Sequence, residues 1–288
     1  MTLAKTRDLV DHAVRSSSAV LAFNVITLEH AEAVVAGAQH ANSSVILQVS
    51  ENAIRFHNGQ IPPIIAACSR IADDASVPVS VHFDHFRDRA LTELAIQLAA
   101  GLGASSIMVD AAHLPYELNV RQTRHLTRLA HEEGLWVEAE LGEIGGKDGA
   151  HAPGARTDPE EASAFVALTD VDGLAVAVGS SHAMTSQGAQ LDVSLISAVR
   201  AGVGVPLVLH GSSGVGDEML VEAVRAGIRK INVGTALNVS FTRELRRFLD
   251  AHLEVTDPRA YLKGGAESMA RTVAHLCTIV QASPLPSH

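Results

Sequence analysis

The chain has 288 residues, 47% hydrophobic and 19% charged, which fits one large globular unit with a substantial core. A formal charge of −10 and an aromatic content of 3% exclude the basic, aromatic-bearing stripe that holds a phosphate backbone, so no nucleic-acid partner is expected. No segment approaches the roughly 18 uninterrupted apolar residues of a membrane span, and Cys68 and Cys277 stand too far apart to suggest a disulfide framework or a thiolate metal cluster.

The first residues, Met1 to Asp8, lack the apolar centre of a secretory signal and read as the start of a helix, so a cytoplasmic protein is expected. Short apolar or β-branched runs then alternate with longer helix-periodic stretches. Strands are expected at Val20–Phe23, Val45–Val49, Val77–Val81, Ser106–Val109, Trp136–Ala139, Gly173–Val178, Leu207–Leu209 and Lys230–Val233. Helices are expected at Leu28–Ala41, Leu91–Ala100 (ended by Gly101 and Gly103), Leu118–Glu133, Glu160–Leu168, Val193–Ala201, Asp217–Ala226 and Asn238–Leu253. No linker or low-complexity segment interrupts the series, so a single domain over residues 1–288 with a parallel sheet is expected.

An open doubly wound sheet and a closed (β/α)8 TIM barrel both fit that alternation. The address of the polar residues separates them. Asn24, Ser50, Asp84 with His85, Asp110, Glu140, His182, His210 and Asn232 each stand at or just beyond the end of an apolar run. An open sheet serves its ligand with a few strands at a switch point, whereas a barrel gathers all eight ends into one ring. Any one of these residues alone reads more readily as a helix cap or a satisfied structural group; together they point to the barrel.

His85, His182 and His210 fall on strands three, six and seven and can converge at one mouth. Three imidazoles with an open position suit catalytic zinc, while non-haem iron more often takes two histidines and a carboxylate. Asp84, adjacent to a ligand, suits a proton donor and acceptor. His82, on the same strand face, is expected to orient the ligand shell without joining it. The loops Gly211-Ser212-Ser213-Gly214 and Asn232-Val233-Gly234-Thr235 follow strands seven and eight, the habitual phosphate site of this fold, which favours a phosphorylated substrate. The glycine-rich stretch Leu141 to Ala150 reads as a lid at the catalytic end.

The segments Ala22-Phe23-Asn24-Val25, Val49-Ser50-Glu51, His82-Phe83-Asp84-His85, Val137-Glu138-Ala139-Glu140-Leu141-Gly142, His210-Gly211-Ser212-Ser213-Gly214, Lys230-Ile231-Asn232-Val233 and Asp257-Pro258-Arg259-Ala260-Tyr261 carry a resemblance. Over nearly its full length the chain resembles the class II, metal-dependent ketose-bisphosphate aldolases, in particular the fructose- and tagatose-bisphosphate branch. The resemblance implies a lyase of carbohydrate metabolism, such as glycolysis, that reversibly cleaves a ketose (bis)phosphate to dihydroxyacetone phosphate and an aldehyde such as glyceraldehyde 3-phosphate. Zinc, held by His85, His182 and His210, polarises the carbonyl and stabilises the enediolate. Asp84 takes the C4 hydroxyl proton, and Asp148 occupies the lid position where the family usually has glutamate. Asp110 and Glu140 match an alternative metal location. Asn24, Ser50, Gly211, Ser212, Ser213, Asn232, Gly234 and Thr235 are expected to face the substrate. Arg259 matches an arginine that grips the distal phosphate, commonly across a subunit boundary, which implies a homodimer or homotetramer. A monovalent cation such as Na+ or K+ is implied beside the substrate. Lys230 is implied to be a structural neighbour of the phosphate loop and not a Schiff-base catalyst.

Besides Asp148, the departures from the family pattern are Ala183 where glycine is usual, Ala111-Ala112 in place of Gly-Ser, and Thr185-Ser186 where a tyrosine or lysine is common. They surround the substrate and leave the metal set intact. Aldolase chemistry on a ketose phosphate other than fructose 1,6-bisphosphate is therefore expected, with a non-catalytic sugar-phosphate-binding homologue as the alternative. A metal-dependent barrel hydrolase would carry a His-x-His pair on its first strand, and Val20 to Asn24 has none.

Overall fold

A computed structural model describes residues 3–141, 156–180 and 189–281. Its sheet is a closed barrel in which eight parallel strands pair in sequence order and the eighth returns to the first. The strands are β1 (Val20–Asn24), β2 (Val45–Ser50), β3 (Val79–Phe86), β4 (Ser106–Val109), β5 (Trp136–Glu140), β6 (Gly173–Val176), β7 (Leu207–Leu209) and β8 (Ile228–Val233). The helices are α1 (Thr6–Arg15), α2 (Leu28–His40), α3 (Glu51–Phe56), α4 (Ile61–Asp73), α5 (Arg89–Leu102), α6 (Tyr116–Glu132), α7 (Pro159–Thr169), α8 (Val193–Gly202), α9 (Asp217–Ala226), α10 (Thr235–Ala251) and α11 (Pro258–Gln281).

This is the expected TIM barrel, with corrections of detail. The third strand starts later than expected and runs on through Phe86, and the sixth stops at Val176. Helices α3, α4 and α11 were not expected. Gly101 lies inside α5, and only Gly103 ends it, in the left-handed conformation at φ 81° that glycine adopts without steric cost.

Alternation along each strand sorts the side chains between two cores. On β5, Val137 and Ala139 face the helices and join the outer core, while Trp136, Glu138 and Glu140 face the barrel axis. The lower interior is apolar, built from Val20, Ala22, Ile46, Met108, Trp136, Ala175 and Val208, with Leu9 and Val10 of α1 packed beneath. The Thr6 hydroxyl lies within hydrogen-bonding distance of Ser80, Ser105 and Ser106, at 3.0, 3.1 and 2.6 Å. Helix α1 thus closes the N-terminal end of the barrel. Above this layer the interior turns polar, and the functional residues begin.

Outside the barrel, α11 packs between α2 and α10. The approach to α2 is close enough to need glycine: a Cβ on Gly37 would press on the Ala270 carbonyl and stand 2.7 Å from Val273 Cβ. Gly37→Ala gains about 1 kcal/mol of helix propensity but meets backbone that cannot swing aside, at a typical overpacking cost of about 1–3 kcal/mol. We expect a net loss of stability of roughly 1 kcal/mol in urea denaturation; an unchanged midpoint would mean the helices separate freely.

Candidate active site

The C-terminal mouth of the barrel holds a cavity of about 250 Å³ lined by Asn24, Ile26, Gln48, Ser50, Asp84, His85, Gly211, Ser212, Ser213, Asn232, Gly234, Thr235 and Asn238. Of the residues expected to face the substrate, Arg259 alone is absent from this lining. It starts α11 on the outside of its own chain, largely exposed, with its guanidinium paired to Asp257 at 2.7 Å. Ile26, Gln48 and Asn238 line the cavity without having been expected there.

Two adjacent residues on a regular strand point to opposite faces, yet Asp84 and His85 both border this cavity. A bulge in β3 resolves the conflict. The register passes from Phe83 opposite Ile107 to Phe86 opposite Val109, so Asp84 and His85 together face Met108 alone. His85 takes the extra rotation in the left-handed region, at φ 50°, which costs a non-glycine residue about 1–2 kcal/mol. Strain of that size, held at a candidate ligand, marks a position over-determined by its surroundings.

Asp84 is buried, and its two oxygens face amide donors. Asn24 Nδ2 donates to Oδ2 at 2.8 Å and Asn232 Nδ2 to Oδ1 at 3.4 Å. Gln48 in turn donates to Asn24 Oδ1 at 2.9 Å, fixing which way that amide faces. Gly234 permits the arrangement, since a Cβ there would stand 2.8 Å from Asn24 Oδ1. Ser50 serves two roles at once: it borders the cavity, and its hydroxyl caps α3 by accepting from Ala53 N.

His85, Glu140 and His210 bring one donor atom each to within 4.8 Å of one another. The rings of His85 and His210 stand edge to face, 4.7 Å between centroids. Carboxylates orient both: Asp110 Oδ2 lies 3.0 Å from His85 Nδ1, and Glu138 Oε1 lies 2.8 Å from His210 Nε2. That pattern assigns Nε2 of His85 and Nδ1 of His210 as the lone-pair nitrogens. Two imidazoles, a carboxylate and surrounding negative charge are a donor set suited to a divalent transition metal. Asp110 stands outside this donor cluster; its carboxylate is committed to His85 and to the Ala112 amide. His182, Ala183, the pair Thr185-Ser186, and Asp148 with most of the expected lid lie outside the described residues.

One expectation is corrected. His82 does not orient a ligand histidine; its Nδ1 pairs with Ser106 Oγ at 2.8 Å, one layer down the barrel. Burial, assisted by the nearby Lys230 charge, pushes its pKa well below the usual value and keeps it neutral. Lys230 lies inside the barrel, ion-paired to Glu138 at 2.8 Å with both side chains fully buried, and its Nζ donates to Asn232 at the start of the β8 loop. Glu138 is a site residue that strand-end position does not single out. The signal available in the sequence is its place two residues before Glu140, which puts both on the inward face.

The loops after β7 and β8 are tied together. Gly211 turns the chain out of β7 at φ 65°, which favours glycine, into a short 3-10 turn at Ser212–Gly214. Ser212 Oγ donates to the Asn232 carbonyl at 2.6 Å, and Ala236 N donates to Ser213 Oγ at 3.0 Å. Gly234 and Thr235 open the 17-residue helix α10, whose N-terminal dipole faces the same cavity. The mouth therefore places two glycine-bearing loops and a helix N-terminus beside a donor set suited to a metal and an amide-clamped carboxylate.

The profile of the family described as fructose-bisphosphate aldolase class-II matches residues 4–284. The chain belongs to that family. It is a lyase, and members of this family typically depend on a metal and act on sugar phosphates. Among solved structures, the chain is similar to the YdjI aldolase from Escherichia coli K12, with 29% identity, a TM-score of 0.83 and 98% of each chain covered. It is also similar to fructose-bisphosphate aldolase (Fba) from Campylobacter jejuni, with 22% identity, a TM-score of 0.81, and 96% of this chain and 94% of that chain covered. At that identity the second likeness speaks for the fold alone.

Electrostatics at the mouth give a pH dependence with a definite sign. Burial disfavours the His85 imidazolium, but Asp84, Asp110 and Glu140 outweigh it and raise the pKa of the metal-free aldolase to about 9. Burial likewise opposes ionisation of Asp110, yet the His85 hydrogen bond and charge, with Arg87, bring it down to about 2. Without metal, the His85 contribution to stability is complete below the ordinary histidine value and is lost as pH rises through about 9. A metal requires the neutral ring, so uptake below that pH displaces a proton and affinity climbs with pH. Calorimetric metal titration near neutral pH, in buffers of different ionisation enthalpy, should record at least one proton released; none released would contradict this assignment.

Proposed function

We propose that this aldolase holds zinc through His85, His182 and His210 and reversibly cleaves a ketose phosphate into dihydroxyacetone phosphate and an aldehyde. The observation that carries the reading is Asp84: a buried carboxylate gripped by Asn24 and Asn232 beside the donor cluster, on the wall of a cavity rimmed by the β7 and β8 loops. Glu140 belongs to the same cluster and is the alternative ligand. Bound there, zinc supplies Lewis-acid polarisation of a carbonyl.

The chain's own residues do the rest. The amides of Asn24 and Asn232 aim the Asp84 carboxylate, which takes the proton from the C4 hydroxyl in cleavage and returns it in condensation. Backbone N–H groups of the Gly211–Gly214 and Gly234–Thr235 loops hold the phosphate next to dihydroxyacetone. Asp148 is assigned the proton exchange at the dihydroxyacetone phosphate carbon. A monovalent cation such as Na+ or K+ is assigned beside that phosphate. Arg259, exposed and remote from its own cavity, is assigned the distal phosphate of a second copy's substrate, which makes the working unit a homodimer or homotetramer. Two buried free cysteines fit a reducing compartment, in keeping with a cytoplasmic enzyme, and no helix among the described residues is long and apolar enough to cross a membrane.

Ala111-Ala112, Asp148 and Ala183 favour a ketose phosphate other than fructose 1,6-bisphosphate. A coupled assay of the zinc-loaded protein across ketose mono- and bisphosphates should find cleavage of at least one, with release of dihydroxyacetone phosphate. Failure on every one by protein shown to contain zinc would sink the reading.

Asp84→Ala should lower turnover by about 10²–10⁴-fold, the usual worth of general acid–base catalysis, while zinc content stays near that of the unaltered protein. Retained turnover would remove Asp84 from the proton transfer.

A further inference from the structure

We propose that Lys230 is a positioning residue that sets the orientation of both halves of the site, His210 through Glu138 and Asp84 through Asn232. The inference rests on the metal reading above only where it speaks of affinity. Lysine on the last strand of an aldolase barrel invites a covalent role, but this one is wholly buried beneath the cavity and engaged by two partners. Its Nζ lies 2.8 Å from Glu138 Oε2 and donates to Asn232 Oδ1 at 2.6 Å.

Each contact removes an ambiguity. An ammonium only donates, so it must meet the oxygen of the Asn232 amide and leave Nδ2 facing Asp84 Oδ1. Turned the other way, Asn232 would present its oxygen to a carboxylate. On the other arm, Lys230 holds one oxygen of Glu138, and the second meets His210 Nε2 at 2.8 Å. A carboxylate only accepts, so the ring proton must sit on Nε2 and the lone pair on Nδ1. Asn232 Nδ2, 3.0 Å from the same nitrogen, is then a neighbour of that N–H and not its partner. One buried cation thereby fixes the Asn232 amide, and the carboxylate it holds fixes a histidine tautomer.

A purely structural ion pair would leave the His210 tautomer indifferent to Lys230, and burying such a pair is often no more stabilising than filling the space with apolar side chains. A positioning lysine makes the tautomer depend on it once Glu138 is replaced by an amide, which has to choose a direction. In Glu138→Gln, Lys230 still demands an oxygen, so the new amide must turn its NH2 toward His210 Nε2. That forces the ring proton onto Nδ1, the nitrogen assigned to the metal. Adding Lys230→Met releases the amide to turn back and accept from Nε2.

The test is a cycle of unaltered protein, Glu138→Gln, Lys230→Met and the double variant. Its readouts are 15N chemical shifts of the His210 ring in metal-free protein and zinc affinity by chelator competition, with circular dichroism and thermal melting as controls. The expected result is an Nε2–H ring in the unaltered protein, an Nδ1–H ring with about 10–100-fold weaker zinc binding in Glu138→Gln, and recovery of both in the double variant. An Nε2–H ring and undiminished affinity in Glu138→Gln, or no recovery in a folded double variant, would overturn the proposal. If the double variant does not fold, Lys230→Met supplies an independent arm: Glu138 is still a carboxylate, so the ring should stay Nε2–H, while the Asn232 amide is free to turn its oxygen toward Asp84 and turnover should fall; unchanged turnover in folded Lys230→Met overturns the role assigned through Asn232. Tautomer switching in a protein that binds no zinc would uphold the positioning role and count against the metal reading.

Discussion

Closing a parallel sheet on itself leaves every second side chain with one destination, the barrel axis, and everything distinctive about this aldolase depends on what is put there. Near the N-terminal end the inward residues are apolar and the interior behaves as an ordinary core. Toward the other end the same positions carry Gln48, His82, Glu138 and Lys230, then Asn24, Asp84, Glu140, His210 and Asn232. The cost of burying so many polar groups is offset in part by the bonds they make to one another, and that mutual bonding also locks their directions.

Regular alternation has a limit: neighbours cannot share a face. The bulge at Asp84 and His85 breaks that rule at one place, putting the proposed base and a proposed ligand side by side from consecutive residues. The backbone strain is small beside the gain in proximity, since the Asp84 carboxylate needs no loop of its own to reach the donor cluster. It also explains why Asp110, at the end of the next strand, is drawn to His85 Nδ1 and not into the donor cluster.

Much of this was legible in the residues. Eight short runs gave the barrel because strand order in a (β/α)8 fold follows chain order, and polar residues at strand ends named most of the cavity wall. Three helices were harder. Helix α11 has glycines at 264 and 265, α3 is only six residues long, and α4 opens on two prolines that read as a turn, although its buried face of Ile61, Ile64, Ile65, Cys68 and Ala72 keeps helical spacing. The link between Glu138 and Lys230 escapes notice for a different reason. Both lie within apolar runs, where a charge looks like an interruption, and only the three-dimensional pairing shows each to be the other's partner. The bulge was invisible in principle, because a register shift belongs to two strands at once.

The seal at the base of the barrel bears on how the chain folds. Thr6 joins Ser80, Ser105 and Ser106, partners separated from it by 74, 99 and 100 residues. Those hydroxyls stand together only after β3 and β4 have paired, so α1 can seal the barrel only once residues up to Ser106 have come together. Until then Leu9, Val10 and the interior they cover are exposed to solvent and to one another's wrong partners. Sealing therefore waits on contacts of long sequence separation, whose loop-closure entropy makes them slow to form.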